Sequence, residues 1–192
     1  MKTLLISQGG CGTNWLKARY GAANVCAGLP DMNPHQRLPY APDGAKVLYL
    51  LADPISQLYS FEKRGFFGNC MAVRNLGGNE IAFRRIMPDG TLAKYAELGI
   101  NCFRFAEHRA GWQTYCLNND VPIAFVSYES LEDPDKLTDL DAWVGGMDND
   151  LPFSGRSETY INLPLPLIAQ LIKTHSKDIN DYQFVRNQYA SR

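Results

Sequence analysis

"LLISQGGCGTNWLKARYG", residues 4–21, runs from a short apolar segment through three closely spaced glycines into a segment of helical character. "KTLLIS" (2–7) suits a buried strand, and Asn14 to about Ala23 suits a helix. A strand, a glycine turn and a helix in that order form the first unit of a parallel α/β sheet. Gly9, Gly10 and Gly12 let the backbone turn tightly with its N–H groups facing inward. The helix that begins near Thr13 adds its free N–H groups and the positive end of its dipole, a combination that suits a phosphate or a sulfate. No lysine follows Gly12, so the GxxxxGK[ST] loop of nucleotide triphosphatases is not present.

The same alternation continues outward from this unit. "AKVLYLLADP" (45–54), bounded by Asp-Gly and Asp-Pro, suits a parallel strand covered on both faces. The stretch 53–66 reads as a helix with Asp53 as N-cap, Pro54 at the first helical position, and Ile55, Leu58 and Tyr59 at helical spacing. Residues 67–90 read as an irregular excursion. Helices are expected over about 91–98 and 102–118, a third strand within "VPIAFVSYESL" (121–131), a helix over 133–146 and a terminal helix from about Pro166. The expected fold class is therefore α/β, a three-layer parallel sheet with helices on both faces, forming a single domain over residues 1–192. Ligands of such sheets sit at the carboxyl ends of the strands, which makes the loops after the three strands the candidate positions.

Composition narrows the class. The chain has 192 residues, 45% hydrophobic and 20% charged, with 19 Lys+Arg against 20 Asp+Glu. A net charge of −1 supplies no overall field for nucleic acid, so an anion site must be local. The five cysteines are widely spaced, without a CxxC pair or a Cys/His cluster, and read as reduced thiols of a cytoplasmic protein. The N-terminal apolar run is too short for a secretion signal or a membrane span, so neither a membrane nor a nucleic acid is expected as partner.

Four segments together resemble the sulfotransferase family. "SQGGCGTNW" resembles its first signature, a strand followed by Pro-Lys-Ser-Gly-Thr-Thr-Trp, with Gly12, Thr13 and Trp15 in register and Gly10 at the position of the lysine. "KVLYLLADPISQLYSFEKRGF" is similar to the second signature, keeping Asp53, Pro54 and Ser60 while Ala52 replaces the arginine. "FAEHRAGWQTY" resembles the family's helix with His and Trp. "IAFVSYESLEDP" resembles its Arg-Tyr-Glu-Asp-Leu turn, keeping Tyr128, Glu129 and Leu131 with Ser127 in place of the arginine.

The resemblance implies a P-loop NTPase-like, sulfotransferase-like version of the α/β fold. It implies 3′-phosphoadenosine 5′-phosphosulfate as cofactor and a small-molecule or carbohydrate acceptor bearing a hydroxyl or an amine. Gln8, Gly9, Gly10, Cys11, Gly12, Thr13 and Asn14 would hold the 5′-phosphosulfate, and Ser60 the 3′-phosphate. His35, in "NPHQRLPY", stands where the resemblance places the catalytic base, a task suited to an unperturbed histidine. His108 reads as a packing or surface residue and His175 as a favourable charge at a helix terminus. Trp15 and Trp112 are expected in the core and Cys11 as a small residue filling the serine's place, while Lys63, Arg64, Arg74, Arg84 and Arg85 read either as charges around an anionic acceptor or, the favoured reading, as solvated loop charges. Two other classes fit the same residues: an anion- or nucleotide-binding protein without transfer chemistry, favoured by Gly10 and Ala52, and a phosphotransferase, disfavoured because the loop lysine and a clear acidic Mg²⁺ ligand are both missing.

Overall fold

The computed structural model describes residues 2–26, 38–69, 79–86, 89–153, 155 and 160–190. Four strands, β1 (Thr3–Ser7), β2 (Val25–Cys26), β3 (Lys46–Leu51) and β4 (Ile123–Ser127), form one sheet in the order β2-β1-β3-β4. Every pairing is parallel, with β1 aligned to β3 from Thr3↔Lys46 to Ser7↔Leu50 and β3 to β4 from Val47↔Ile123 to Leu51↔Ser127. The expected α/β class and parallel sheet are therefore present. The strand not expected from sequence is β2, whose two residues are too few to carry a periodic signal.

Eight α-helices lie among the described residues: α1 (Thr13–Asn24), α2 (Pro54–Lys63), α3 (Glu80–Phe83), α4 (Leu92–Leu98), α5 (Phe105–Asn118), α6 (Pro134–Val144), α7 (Leu165–Thr174) and α8 (Ser176–Ala190). Alternate strand residues divide two cores between the sheet faces, as the pleat requires. Leu4, Ile6, Val47, Tyr49 and Phe125 pack with Trp112 of α5 and Tyr182 and Val185 of α8. Leu5, Leu48 and Leu50 pack on the other face with Leu16 and Tyr20 of α1 and Leu140 and Val144 of α6. A third core gathers α2, α3, α4 and Leu171 of α7 around Phe61, Phe67, Phe83, Tyr95 and Phe103. Among the described residues of 67–90, the helix α3 and the 3-10 turn Arg84–Ile86 are regular elements not expected from the sequence.

Capping residues start the helices at the positions expected from sequence. The Asp53 carboxylate accepts the Ser56 N–H at 2.7 Å, with Pro54 next to it at the first helical position, and Asp133 likewise accepts from Asp135 and Lys136. The C-terminal region departs from expectation: the single terminal helix is two helices, broken at His175. His175 stands at a helix terminus, as its sequence position suggests, and is fully buried there. Its ring bonds the Tyr95 hydroxyl at 2.8 Å and Asp178 at 2.8 Å, a network that satisfies its polar atoms inside the core. Among the described residues no helix is long and apolar enough to cross a membrane.

One part-buried ion pair ties α1 to α6. Arg19, 3% exposed, donates from Nε and Nη2 to the Asp141 carboxylate at 2.9 and 2.7 Å, and the Tyr20 hydroxyl donates to the same carboxylate at 2.8 Å. Burial raises the Asp141 pKa, but the bonds from Arg19 and Tyr20 outweigh it and hold the carboxyl below its ordinary value. Its contribution is therefore complete above about pH 4 and is lost as the pH falls through the lower, folded-state value. Asp141→Ala removes two charged hydrogen bonds from Arg19 and leaves it only Asp150 at 3.4 Å and the Leu151 carbonyl at 3.2 Å, and is expected to cost about 2 kcal/mol in urea unfolding at pH 7. A loss below about 1 kcal/mol, the range of exposed pairs, would contradict this role for the pair.

Candidate functional site

The chain leaves β1 toward β2 on one side and leaves β3 toward β4 on the other, so the carboxyl ends of β1 and β3 flank a crevice. Ligands of open parallel sheets occupy such crevices. The loop Gln8–Gly12 crosses this point. Its turn uses the left-handed region three times, at Gly9 (φ 86°), Gly10 (φ 68°) and Gly12 (φ 82°), where side chains other than hydrogen are strained. The first intrahelical bond of α1 runs from the Leu16 N–H to the Gly12 carbonyl, and no side chain caps the helix at Gly12. The first-turn N–H groups of Thr13, Asn14 and Trp15 therefore stand at the head of a helix of 12 residues.

Short polar contacts hold the loop in shape. The Gly9 N–H donates to Ser7 Oγ at 3.2 Å, and the Ser7 and Thr13 hydroxyls bond each other at 2.9 Å. Cys11 turns inward, 1% exposed, and its thiol donates to the Gly9 carbonyl at 2.9 Å with Gln57 Oε1 at 3.4 Å. It fills a small buried space, as its sequence position implies. Asn14 is exposed at the helix start, and Lys17, one turn further on, is also exposed.

Positive charge reaches the loop from α2. A Cβ built on Gly10 would meet Arg64 Nη2 at 3.4 Å, Gln57 Cα at 3.5 Å and Ser60 Cβ at 3.5 Å. Arg64 donates from Nε to the Ser60 carbonyl and from Nη2 to Ser60 Oγ, both at 3.1 Å. Its guanidinium lies over the Phe66 ring at 4.7 Å, which fixes the plane of the group. The structure therefore brings Ser60 and the loop together, and adds Arg64, for which the favoured sequence reading is a solvated loop charge. The signal that could have found it is helical spacing, since Gln57, Ser60 and Arg64 follow at i, i+3 and i+7 on one face of α2. Ala52, where the resemblance expects an arginine, is buried and carries no charge.

The remaining expectations fall differently. His35 lies outside the described residues, as does Arg74. His108 is buried and bonds the Tyr49 hydroxyl at 2.7 Å, a packing role. Trp112 is in the core, but Trp15 is only half-buried; its indole donates to the Pro152 carbonyl at 3.2 Å and packs edge-on against Phe153. Phe153 also meets Tyr128, whose ring covers Gly12. Ser127 caps the turn after β4 by accepting the Ser130 N–H, and Glu129 accepts from the Tyr182 hydroxyl at 2.6 Å. Burial, and then the Glu129 carboxylate, hold the Tyr182 hydroxyl protonated.

Burial also pushes the Cys102 and Cys116 thiols up to about 11, which leaves both as unreactive thiols at neutral pH. Cys26, by contrast, is only half-buried. No group of His, Cys, Asp and Glu among the described residues could hold a metal ion. Comparison with protein-family models, curated proteins and solved structures finds no match for the chain.

The Tyr128 ring sets a sharp requirement at Gly12, where an added Cβ would stand 3.1 Å from Cδ2 in a left-handed backbone. Gly12→Ala is expected to destabilise the fold by about 1–2 kcal/mol from backbone strain alone. Chemical unfolding checks this, and a variant as stable as the parent would show that the loop has another conformation.

Proposed function

We propose that the chain binds the 5′-phosphosulfate of 3′-phosphoadenosine 5′-phosphosulfate at the loop Gly9–Asn14 and moves its sulfuryl group to a hydroxyl or amine acceptor, a small molecule or a carbohydrate. The observation that carries this reading is the Arg64 guanidinium held beside Gly10 by Ser60, at the mouth of an uncapped helix N-terminus. Backbone N–H groups there present hydrogen-bond donors to an anion without any side chain. Arg64 adds the full charge that Gly10 does not supply, and a guanidinium matches the paired oxygens of a phosphate better than an ammonium does.

In the proposed reaction the acceptor loses its proton to His35 as its oxygen or nitrogen bonds to sulfur. The bond from sulfur to the bridging oxygen breaks, and the leaving 3′-phosphoadenosine 5′-phosphate takes the electron pair. Negative charge grows on that leaving phosphate. Donors aimed at developing charge commonly contribute about 3–4 kcal/mol each to transition-state stabilisation, a task that falls to the loop amides and Arg64. A second reading, nucleotide or anion binding without transfer, is favoured by Gly10 itself, since the loop carries no side-chain cation of its own.

Titration with 3′-phosphoadenosine 5′-phosphate, followed by thermal unfolding, separates the readings. At 100 times its Kd the nucleotide should stabilise the fold by about 2.7 kcal/mol, more than adenosine 5′-phosphate, ATP with Mg²⁺ or sulfate at equal concentration. Arg64→Ala is expected to weaken binding by about tenfold or more with the unliganded stability unchanged. Sulfuryl transfer lost in His35→Ala with binding retained supports the enzyme, and binding without turnover in the parent supports the second reading. No preference for the 3′-phosphorylated nucleotide would overturn both forms of the nucleotide reading.

A further inference from the structure

The proposed anion site draws its parts from two elements, the amides at the head of α1 and the Arg64 guanidinium at the end of α2. Cys11 of the loop and Gln57 of α2 are 46 residues apart, so the chain between them does not set the spacing of these parts. Packing sets it. A Cβ on Gly10 would meet Gln57 Cα at 3.5 Å and Arg64 Nη2 at 3.4 Å, so the loop rests directly on the face of α2 that carries Gln57, Ser60 and Arg64.

Gln57 is 3% exposed, and both ends of its amide are engaged. Nε2 donates to the Ala52 carbonyl at 2.8 Å, next to the carboxyl end of β3, and Oε1 accepts from the Cys11 thiol at 3.4 Å. The thiol also meets the Gly9 carbonyl at 2.9 Å, so two acceptors share its one proton. These partners fix the amide's orientation, because turning it over would set Oε1 against the Ala52 carbonyl. The backbone of Gln57 is held as well, its N–H donating to the Asp53 carbonyl at 3.0 Å in the first turn of α2. One side chain therefore reaches from the strand end to the inner side of the loop. Burying an amide costs free energy that a methionine of similar length would not, so filling space does not by itself account for a glutamine here.

We infer that Gln57 is a positioning residue of the anion site: its bridge from Ala52 to Cys11 fixes the spacing between the loop amides and Arg64, without contact with the anion. This role rests on the anion-site reading and supplies what that reading lacks, a reason for two separate donor sets to meet one anion. Donors held in place before the anion arrives bind it more tightly than donors that it must order. Without the bridge, loop and helix keep their own hydrogen bonds but lose their register with each other. The loss then falls on binding that uses both.

The test is a double-mutant cycle on the full chain, read by calorimetry as the Kd for 3′-phosphoadenosine 5′-phosphate, with unliganded stability followed by thermal unfolding. Gln57→Met should raise the Kd about tenfold in the parent. In an Arg64→Ala background the same change should raise it less than about twofold, because no guanidinium is left to place. A purely structural role would weaken binding alike in both backgrounds, and that result overturns the inference. An unchanged Kd in a folded Gln57→Met also overturns it. Should Gln57→Met fail to fold, Cys11→Ala removes the loop end of the bridge and goes through the same cycle, with the same results deciding. A parent that does not bind the nucleotide contradicts the anion-site reading, and the positioning role falls with it. A parent that binds while the cycle shows no coupling contradicts the positioning role alone.

Discussion

The parallel pairing of β1 with β3 sets the position of every other part of the molecule. Because β2 lies on the opposite side of β1, the chain must leave these neighbours in opposite directions, and their carboxyl ends cannot be bridged by a direct connection. The resulting crevice is where the glycine loop, the N-terminus of α1 and the start of α2 converge. The same register sends alternate side chains of β1 and β3 to two separate cores, so a slip of one residue would exchange both. Site and core are therefore specified by one set of hydrogen bonds.

Within the crevice, backbone and side chain divide the work of presenting positive potential. The left-handed glycines direct the loop, and Cys11 and the Ser7–Thr13 pair hold its shape from the inside. Charge comes from a different element. Arg64 stands at the end of α2, oriented by Ser60 and the Phe66 ring, so its position depends on the helix that Asp53 caps rather than on the loop. Gln57 touches Gly10 and, with Gln8 of the same loop, lines a small cavity over the carboxyl end of β3.

Much of this is legible from residues alone, where one residue type has one physical use. The glycine cluster before a helical segment, the Asp-Pro start of α2 and the continuous apolar runs of β1 and β3 each specify their element locally. What is not legible depends on tertiary placement. β2 is held by its neighbour rather than by its own pattern, and the break at His175 reflects a buried network with Tyr95, 80 residues away in the chain. The neighbours of Arg64, Lys63 and Gly65, suggest a solvated turn, although its spacing from Ser60 places it on the face that meets the loop. The size of Trp15 points to the core, yet the surface strip at Pro152 and Phe153 gives it a polar partner and an aromatic one.

In the proposed function the backbone amides of the β1–α1 loop and the Arg64 guanidinium converge on one anion. The decisive measurement follows amide and guanidinium NMR shifts of the labelled protein during titration with 3′-phosphoadenosine 5′-phosphate. The Gly10, Gly12, Thr13 and Asn14 amides and the Arg64 side chain are expected to shift together along one binding curve. Shifts confined to other parts of the sheet, or loop amides that move while Arg64 does not, would refute this convergence.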